Sequence, residues 1–239
     1  MPKGALIGPM VIAAVSIDKK NEKKLVQIGV KDSKELSSKR REILAEQIER
    51  IAKNIVVLKV PACKIDSYRA RKINLDKIEA MKIAELIQMI EADTIYIDSL
   101  ETPKRFEPLI LSFTTNPLFN LVVENYADET YPVVSAASII AKVERDKAIE
   151  ELKKKVGYDF GVGYSHDERT IKFLESILQN YKAPPPFIRW NWETVHTSAT
   201  KLFNDGKNIQ PWVKTEILKQ ESWQKKLKDF IFGKREKCK

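Results

Sequence analysis

Two acidic positions stand where a carboxylate could be held for chemistry. Asp98 closes the run Thr94-Ile95-Tyr96-Ile97-Asp98, and a carboxylate at a strand end is anchored by the sheet while its tip reaches solvent. Taken alone, Asp98 reads equally as the cap of a following helix. Asp128 and Glu129 form an acidic pair, expected to be exposed, just ahead of Pro132, whose fixed φ suits the first turn of a helix. Behind it, Ser135, Ala136, Ala137, Ser138 and Ala141 give that helix a face with almost no bulk, so it can approach a sheet closely. Ile139, Ile140 and Val143 widen the apolar face, and Lys142, Glu144, Arg145 and Asp146 return it to water. A carboxylate held by a tightly docked helix is a good metal ligand, because packing fixes its direction. The plainer alternative is an acidic turn that solvates a helix start.

Other residues could touch a polyanion. Lys31 and Lys34 flank Ser33, and two ammonium groups around a hydroxyl suit phosphate contact; a solvated charged loop is the competing explanation. Gly157 to Asp167 reads as a flexible loop with Tyr164 near its centre, where an isolated tyrosine is more often packing than chemistry. His196 has no neighbours at metal-ligand spacing and is assigned no chemistry.

The elements that must position these groups follow from periodicity. Residues 5–17 read as a buried strand interrupted at Gly8-Pro9, residues 55–60 as a strand ended by Pro61, and residues 94–98 and 119–124 as two more. Ser37 or Ser38 caps a helix with Leu44, Ile48 and Ile51 on one side. Leu75 to Glu91 and Pro103 to Phe113 read as helices, and Asp167 caps another that carries Ile171, Leu174 and Ile177. The proline run 184–186 is a stiff connector.

Lys and Arg exceed Asp and Glu by 42 − 33 = 9, with a pI near 9.3, which fits a polyanionic partner. Cys63 and Cys238 belong to no CxxC motif, so a reduced, cytoplasmic setting is expected. No apolar run approaches membrane-spanning length and no signal-peptide layout opens the chain. Residues 214–239 carry nine Lys/Arg and four Asp/Glu around Ile217, Leu218, Trp223, Leu227, Phe230 and Phe232, the pattern of a basic amphipathic helix.

The stretch ADETYPVVSAASIIAKVERD, residues 127–146, resembles the ribonuclease HII family, in which an acidic turn leads into VVSAASI-AKV-RD. GPMVIA at 8–13, KDSK at 31–34, GVGYSHD at 161–167 and PPPFIRWNWET at 184–194 resemble further family segments; the resemblance covers roughly residues 3–200. It implies an α/β fold: a ribonuclease-H-like mixed sheet flanked by helices, with a helical C-terminal part. The expected division is a catalytic domain over 1–182 and a helical region with a basic tail over 183–239. It further implies endonucleolytic cleavage of the RNA strand of RNA–DNA hybrids, including ribonucleotides embedded in DNA, by a monomer using Mg²⁺ or Mn²⁺.

Carried over position by position, the resemblance makes Asp98 and Asp128 metal-binding carboxylates and puts Tyr164 near the ribose at the cleavage junction. Lys3, Gly4, Lys31, Ser33, Lys34 and Arg189 join Tyr164 as nucleic-acid contacts. Gln224, Leu227 and Phe230 resemble part of a sliding-clamp-binding motif, with Ile231 failing its second aromatic. Two departures stand out. Ser165 and His166 replace the family's Pro and Ser, which suggests a less rigid loop. In the family a DEAGRG motif precedes GPMVIA; here Met1-Pro2-Lys3-Gly4 falls on its last four positions, so its Asp-Glu pair, and the strand bearing it, lie outside this sequence. The printed chain is therefore expected to be impaired, either because its start is misplaced, the favoured alternative, or because it is a hybrid-binding paralogue.

Overall fold

The computed structural model describes residues 4–30, 36–115, 118–215 and 217. Its strands form two pairs rather than one sheet. β1 (Met10–Ser16) lies antiparallel to β2 (Asn54–Val60), with Met10 opposite Val60 and Ser16 opposite Asn54. β3 (Thr94–Asp98) lies parallel to β4 (Asn120–Glu124), which sets Asp98 opposite Glu124.

Helices cover both faces of β1. α1 (Glu22–Ile28), α2 (Ser38–Ile51) and α7 (Pro132–Val156) bury Leu25, Leu44, Ile48, Ala136, Ile139, Ile140 and Val143, with Ala13 and Val15 of β1 packed against them. On the other face, Met10 and Ile12 join α3 (Ala62–Ala70), α4 (Leu75–Ile87) and α5 (Pro103–Leu111) in a core that includes Ile97 and Val123 of the second strand pair. A strand covered on both sides reads as an unbroken apolar run, which is how MVIAAV reads. A third core joins α8 (Glu168–Asn180) and α9 (Glu193–Asn204) to Leu6, Ile7, Ile149, Phe160 and Ile188, and Ile217 packs into it.

Local signals account for the boundaries. Ser37 caps α2 by accepting from the Arg40 N–H at 3.3 Å, Asn74 caps α4 from Lys77 at 2.9 Å, and Asp167 caps α8 from Arg169 at 3.0 Å. Pro132 stands in the first turn of α7, and left-handed Gly157 (φ 70°) ends it. The run 5–17 is not a single strand. Ala5–Ile7 leave the sheet, with Ala5 bridging to Tyr164 and Ile7 to Ile188, because Gly8 turns the chain at φ +90°. A Cβ there would come within 2.7 Å of Ile149 Cδ1, so glycine is required for space as well as for conformation. α4 ends at Ile87, short of Glu91. α1 and α3 lack a strong apolar stripe: they bury one and two residues respectively and escape periodicity.

Candidate active site

Asp98 ends β3, and its Oδ1 accepts the N–H of Ala127 at 3.1 Å. It does not cap the next helix; Thr102 occupies that position at α5. Ala127 opens α6 (Ala127–Thr130), a single turn entered through Tyr126 in the left-handed region at φ 60°. That conformation is costly for a residue with a Cβ, and it swings the turn back over the end of β3. Asn125 secures the same corner, its Nδ2 donating to the carbonyls of Ser99 and Glu101. The consequence is that Asp128 is not exposed. It is 4% accessible, and its carbonyl accepts the Ser135 hydroxyl of α7, whereas Glu129 stays exposed.

The structure thus brings Asp98 and Asp128 to one place, the wall of a cleft of about 1340 Å³ that also holds Tyr126, Arg145, Tyr164 and His166. Glu124 lies level with Asp98 on β4 and accepts the Tyr131 hydroxyl at 3.2 Å. Burial first, and then this hydrogen bond to Glu124, push the Tyr131 hydroxyl above its ordinary pKa. Among the described residues, no group of three or more His, Cys, Asp or Glu side chains is set to hold a metal ion.

Tyr164 also lines the cleft, in a loop that is tied down rather than loose. Asp167 Oδ2 accepts the Val162 N–H at 2.8 Å, and Asp159 Oδ1 that of Gly161 at 3.0 Å. Thr170 Oγ1 accepts from Gly163 and donates to the Phe160 carbonyl, at 3.1 and 2.8 Å. The Val162 N–H is the chief cause that holds the Asp167 carboxyl below its usual range. His166 stacks on Tyr164 with ring centroids 5.4 Å apart, and the Arg145 guanidinium carbon lies 4.1 Å from the Tyr164 ring centroid.

Arg145 was expected to face water. It is 6% accessible and donates to the Val162 carbonyl at 2.9 Å; burial lowers its pKa from the ordinary value. The charged run KVERD carries no periodic signal for this: Glu144 and Asp146 on either side are half-buried and paired with Lys59 and Arg41 at 2.8 and 2.9 Å, and Asp146 lines the cleft.

Arg189 is buried, at 1% accessible, and does not join the cleft lining. Its Nε donates to the Gly8 carbonyl at 3.4 Å, its backbone N–H to that of Leu6 at 3.0 Å, and its guanidinium lies over Trp192. Burial, reinforced by nearby Arg145, takes its pKa down to about 10. Its place is that of a strut behind the Ala5–Gly8 segment. Gly4 is exposed with open space around it. Lys3, Lys31, Ser33, Lys34, Gln224, Leu227 and Phe230 lie outside the described residues. His196 is half-buried on α9, away from the cleft.

The family model for ribonuclease HII matches residues 2–195. The chain belongs to the ribonuclease HII family. A ribonuclease HII of Methanosphaera stadtmanae is 42% identical over 194 residues, covering 81% of this chain and 89% of that protein. The crystal structure of ribonuclease H2 from Pyrococcus horikoshii superposes with a TM-score of 0.77 at 39% identity, over 85% of this chain and 95% of that one. The Archaeoglobus fulgidus ribonuclease HII, solved as a PCNA:RNase HII complex, gives 0.75 at 40% identity, over 86% and 96%. The ribonuclease-H-like α/β fold is shared with these structures. Among the described residues no helix is long and apolar enough to cross a membrane.

Proposed function

We propose that this chain is the scaffold of a ribonuclease H type 2 endonuclease that cuts the RNA strand of RNA–DNA hybrids and ribonucleotides embedded in duplex DNA, leaving 3′-OH and 5′-phosphate ends. The observation that carries the proposal is the convergence of Asp98 and Asp128 on one cleft wall, with Tyr164 lining the same cleft. In this reading Asp98 and Asp128 are the acidic half of the site. Tyr164, backed by Arg145, offers a flat face to a sugar, where the 2′-hydroxyl distinguishes RNA from DNA.

Family resemblance implies Mg²⁺ or Mn²⁺, and hard cations of this kind take oxygen ligands. Two carboxylates do not fit a site for a pair of such ions. Asp98 and Asp128 supply one side of it, and this chain by itself is proposed to bind hybrid with cleavage lost or severely reduced. The PCNA complex of the Archaeoglobus relative supports a sliding clamp as a partner, with Gln224, Leu227 and Phe230 as the proposed contact.

A cleavage assay on duplex DNA with one embedded ribonucleotide tests the reading, using the printed chain and a version prefixed with a strand ending in Asp-Glu. Cutting by the prefixed chain alone, lost on Asp98→Asn, supports it. If neither protein cuts although both bind hybrid, the chain is a binding paralogue and the proposal fails.

A further inference from the structure

His166 lines the cleft beside Tyr164, at a position where the family segment it resembles carries a serine. Local structure fixes it there. The Asp167 N–H donates to the Tyr164 carbonyl at 3.1 Å, closing a turn with Ser165 and His166 at its central positions. Asp167 then caps α8, so the turn is held at its far end as well. The imidazole lies nearly parallel to the Tyr164 ring, tilted by 14° with 5.4 Å between centroids. That is offset stacking, which widens the flat surface of Tyr164 sideways. His166 is exposed, and among the described residues its ring nitrogens take no hydrogen bond or ion pair.

The charges around this surface are mostly positive. Arg145, Arg189 and Arg41 act electrostatically on the Tyr164 hydroxyl, against the carboxylate of Asp146, which is itself paired with Arg41 at 2.9 Å. A flat surface in a positive field suits a nucleotide, with a sugar or base on the ring and a phosphate beside it. Each sugar of a strand has a phosphate on either side, so a cation one ring-width from Tyr164 meets a phosphate.

Histidine is the side chain whose charge changes between about pH 5 and 8. The groups around the turn keep their charge over that range. Burial pushes the Tyr164 hydroxyl up, so it stays neutral. Burial lowers Arg145 and takes Arg189 to about 10, and both remain cations. The Val162 N–H holds Asp167, and Lys153 holds Asp159, below the usual carboxylate range. Of the chain's two histidines, His196 is half-buried on α9, away from the cleft.

We propose that His166 is a proton-gated nucleic-acid contact, whose imidazolium donates to the backbone phosphate next to the sugar carried on Tyr164. The inference rests on the hybrid-binding reading and adds to it a residue peculiar to this chain. A serine there offers a neutral hydrogen bond, whereas an imidazolium offers a charged and stronger one. Because the protonated form binds better, affinity rises as pH falls through the imidazole range. By reciprocity, bound hybrid raises the pH at which His166 takes its proton.

The test titrates a fluorescently labelled RNA–DNA hybrid against the full chain in EDTA, by anisotropy, at about pH 5.5 and about pH 8 and at several salt concentrations. The wild-type chain is expected to bind about tenfold more tightly at the lower pH, with a salt slope steeper by about one. His166→Phe keeps a flat ring without the proton, and its change with pH is expected to fall below about twofold. His166→Ser loses the ring too and is expected to bind more weakly than the Phe variant at both pH values. In the NMR spectrum of the wild-type chain, the His166 ring is expected to titrate at higher pH with hybrid than without it, while His196 does not move. That measurement needs no variant, so it decides even where a substitution loosens the turn. One pH profile shared by wild type and His166→Phe overturns the proposal and leaves the hybrid reading standing, as does tighter binding by His166→Ser. Absence of hybrid binding by every form at both pH values removes the hybrid reading, and the proposal with it.

Discussion

The two sides of the cleft differ in how completely the described residues build them. On the Tyr164 side Asp159, Asp167 and Thr170 hold the backbone, Arg145 and His166 hold the ring, and the Gly163 carbonyl accepts the N–H groups of Leu6 and Ile7. On the carboxylate side the corner is fixed by Tyr126, Asn125 and Ser135, yet it faces a gap between strand edges. Most of the partners that close this loop lie within about ten residues of it, and the Ala5–Ile7 segment supplies the rest. A sheet needs strands from distant parts of the sequence, and among the described residues β1 pairs with β2 and β3 with β4. The Tyr164 loop and the Asp98–Asp128 corner are therefore held by different sets of contacts, so a substitution in one can be read against the other.

The largest effect is expected on the carboxylate side. In the strand-prefixed protein, Asp98→Asn is expected to lower cleavage by on the order of 10²–10³-fold or more with hybrid binding retained; an unchanged rate would remove Asp98 from the chemistry. Next comes the junction between the two sides. Gly8→Val puts a branched side chain at φ +90° and against Ile149, and a destabilisation of about 3 kcal/mol or more is expected in denaturant unfolding. Ile149→Ala relieves only the clash, so partial rescue is the expected result.

On the Tyr164 side, Thr170→Val leaves the Gly163 N–H and the Phe160 carbonyl without their shared partner, at a cost of about 1–3 kcal/mol. An equal loss of folding in the Asp98 corner would blur the contrast; exchange confined to 160–164 would sharpen it.

The smallest effect concerns acid. Asp167 has a folded pKa below its unfolded value, first through the Val162 N–H. Its contribution is therefore present above the usual carboxylate range and is lost as pH falls through the lowered folded pKa. The Val162 amide is expected to lose protection on that descent, and Asp167→Asn to flatten the profile, with the Asp98 corner unaffected by the substitution.

Features with local causes were legible in the sequence. The run Thr94–Asp98 is a strand with the predicted bounds, and Ser37 and Asp167 cap as their spacing indicates. Pro132 marks the start of α7. The burial of Asp128 was not legible, because it depends on Tyr126 adopting a left-handed turn and on Ser135 reaching back across it. Arg145 reads as one more charge in KVERD until the loop at 162–164 closes over it. The interruption at Gly8-Pro9 was legible, and Gly8 turns the chain there at φ +90°; that Ala5–Ile7 then bridge to Tyr164 and Ile188 was not, because those partners are distant in sequence. The cleft belongs to no one segment and has no pattern of its own.

α7 also has a consequence for how the protein comes apart. Ile139, Ile140 and Val143 belong to the core around β1, while Ile149, on the same unbroken helix, belongs to the core of α8 and α9. A rod of about 37 Å embedded in both is a mechanical coupling: neither core can open fully without disturbing the other. Amides near the middle of α7 are thus expected to exchange only through global unfolding, and the two halves to melt in one transition despite the divided sheet.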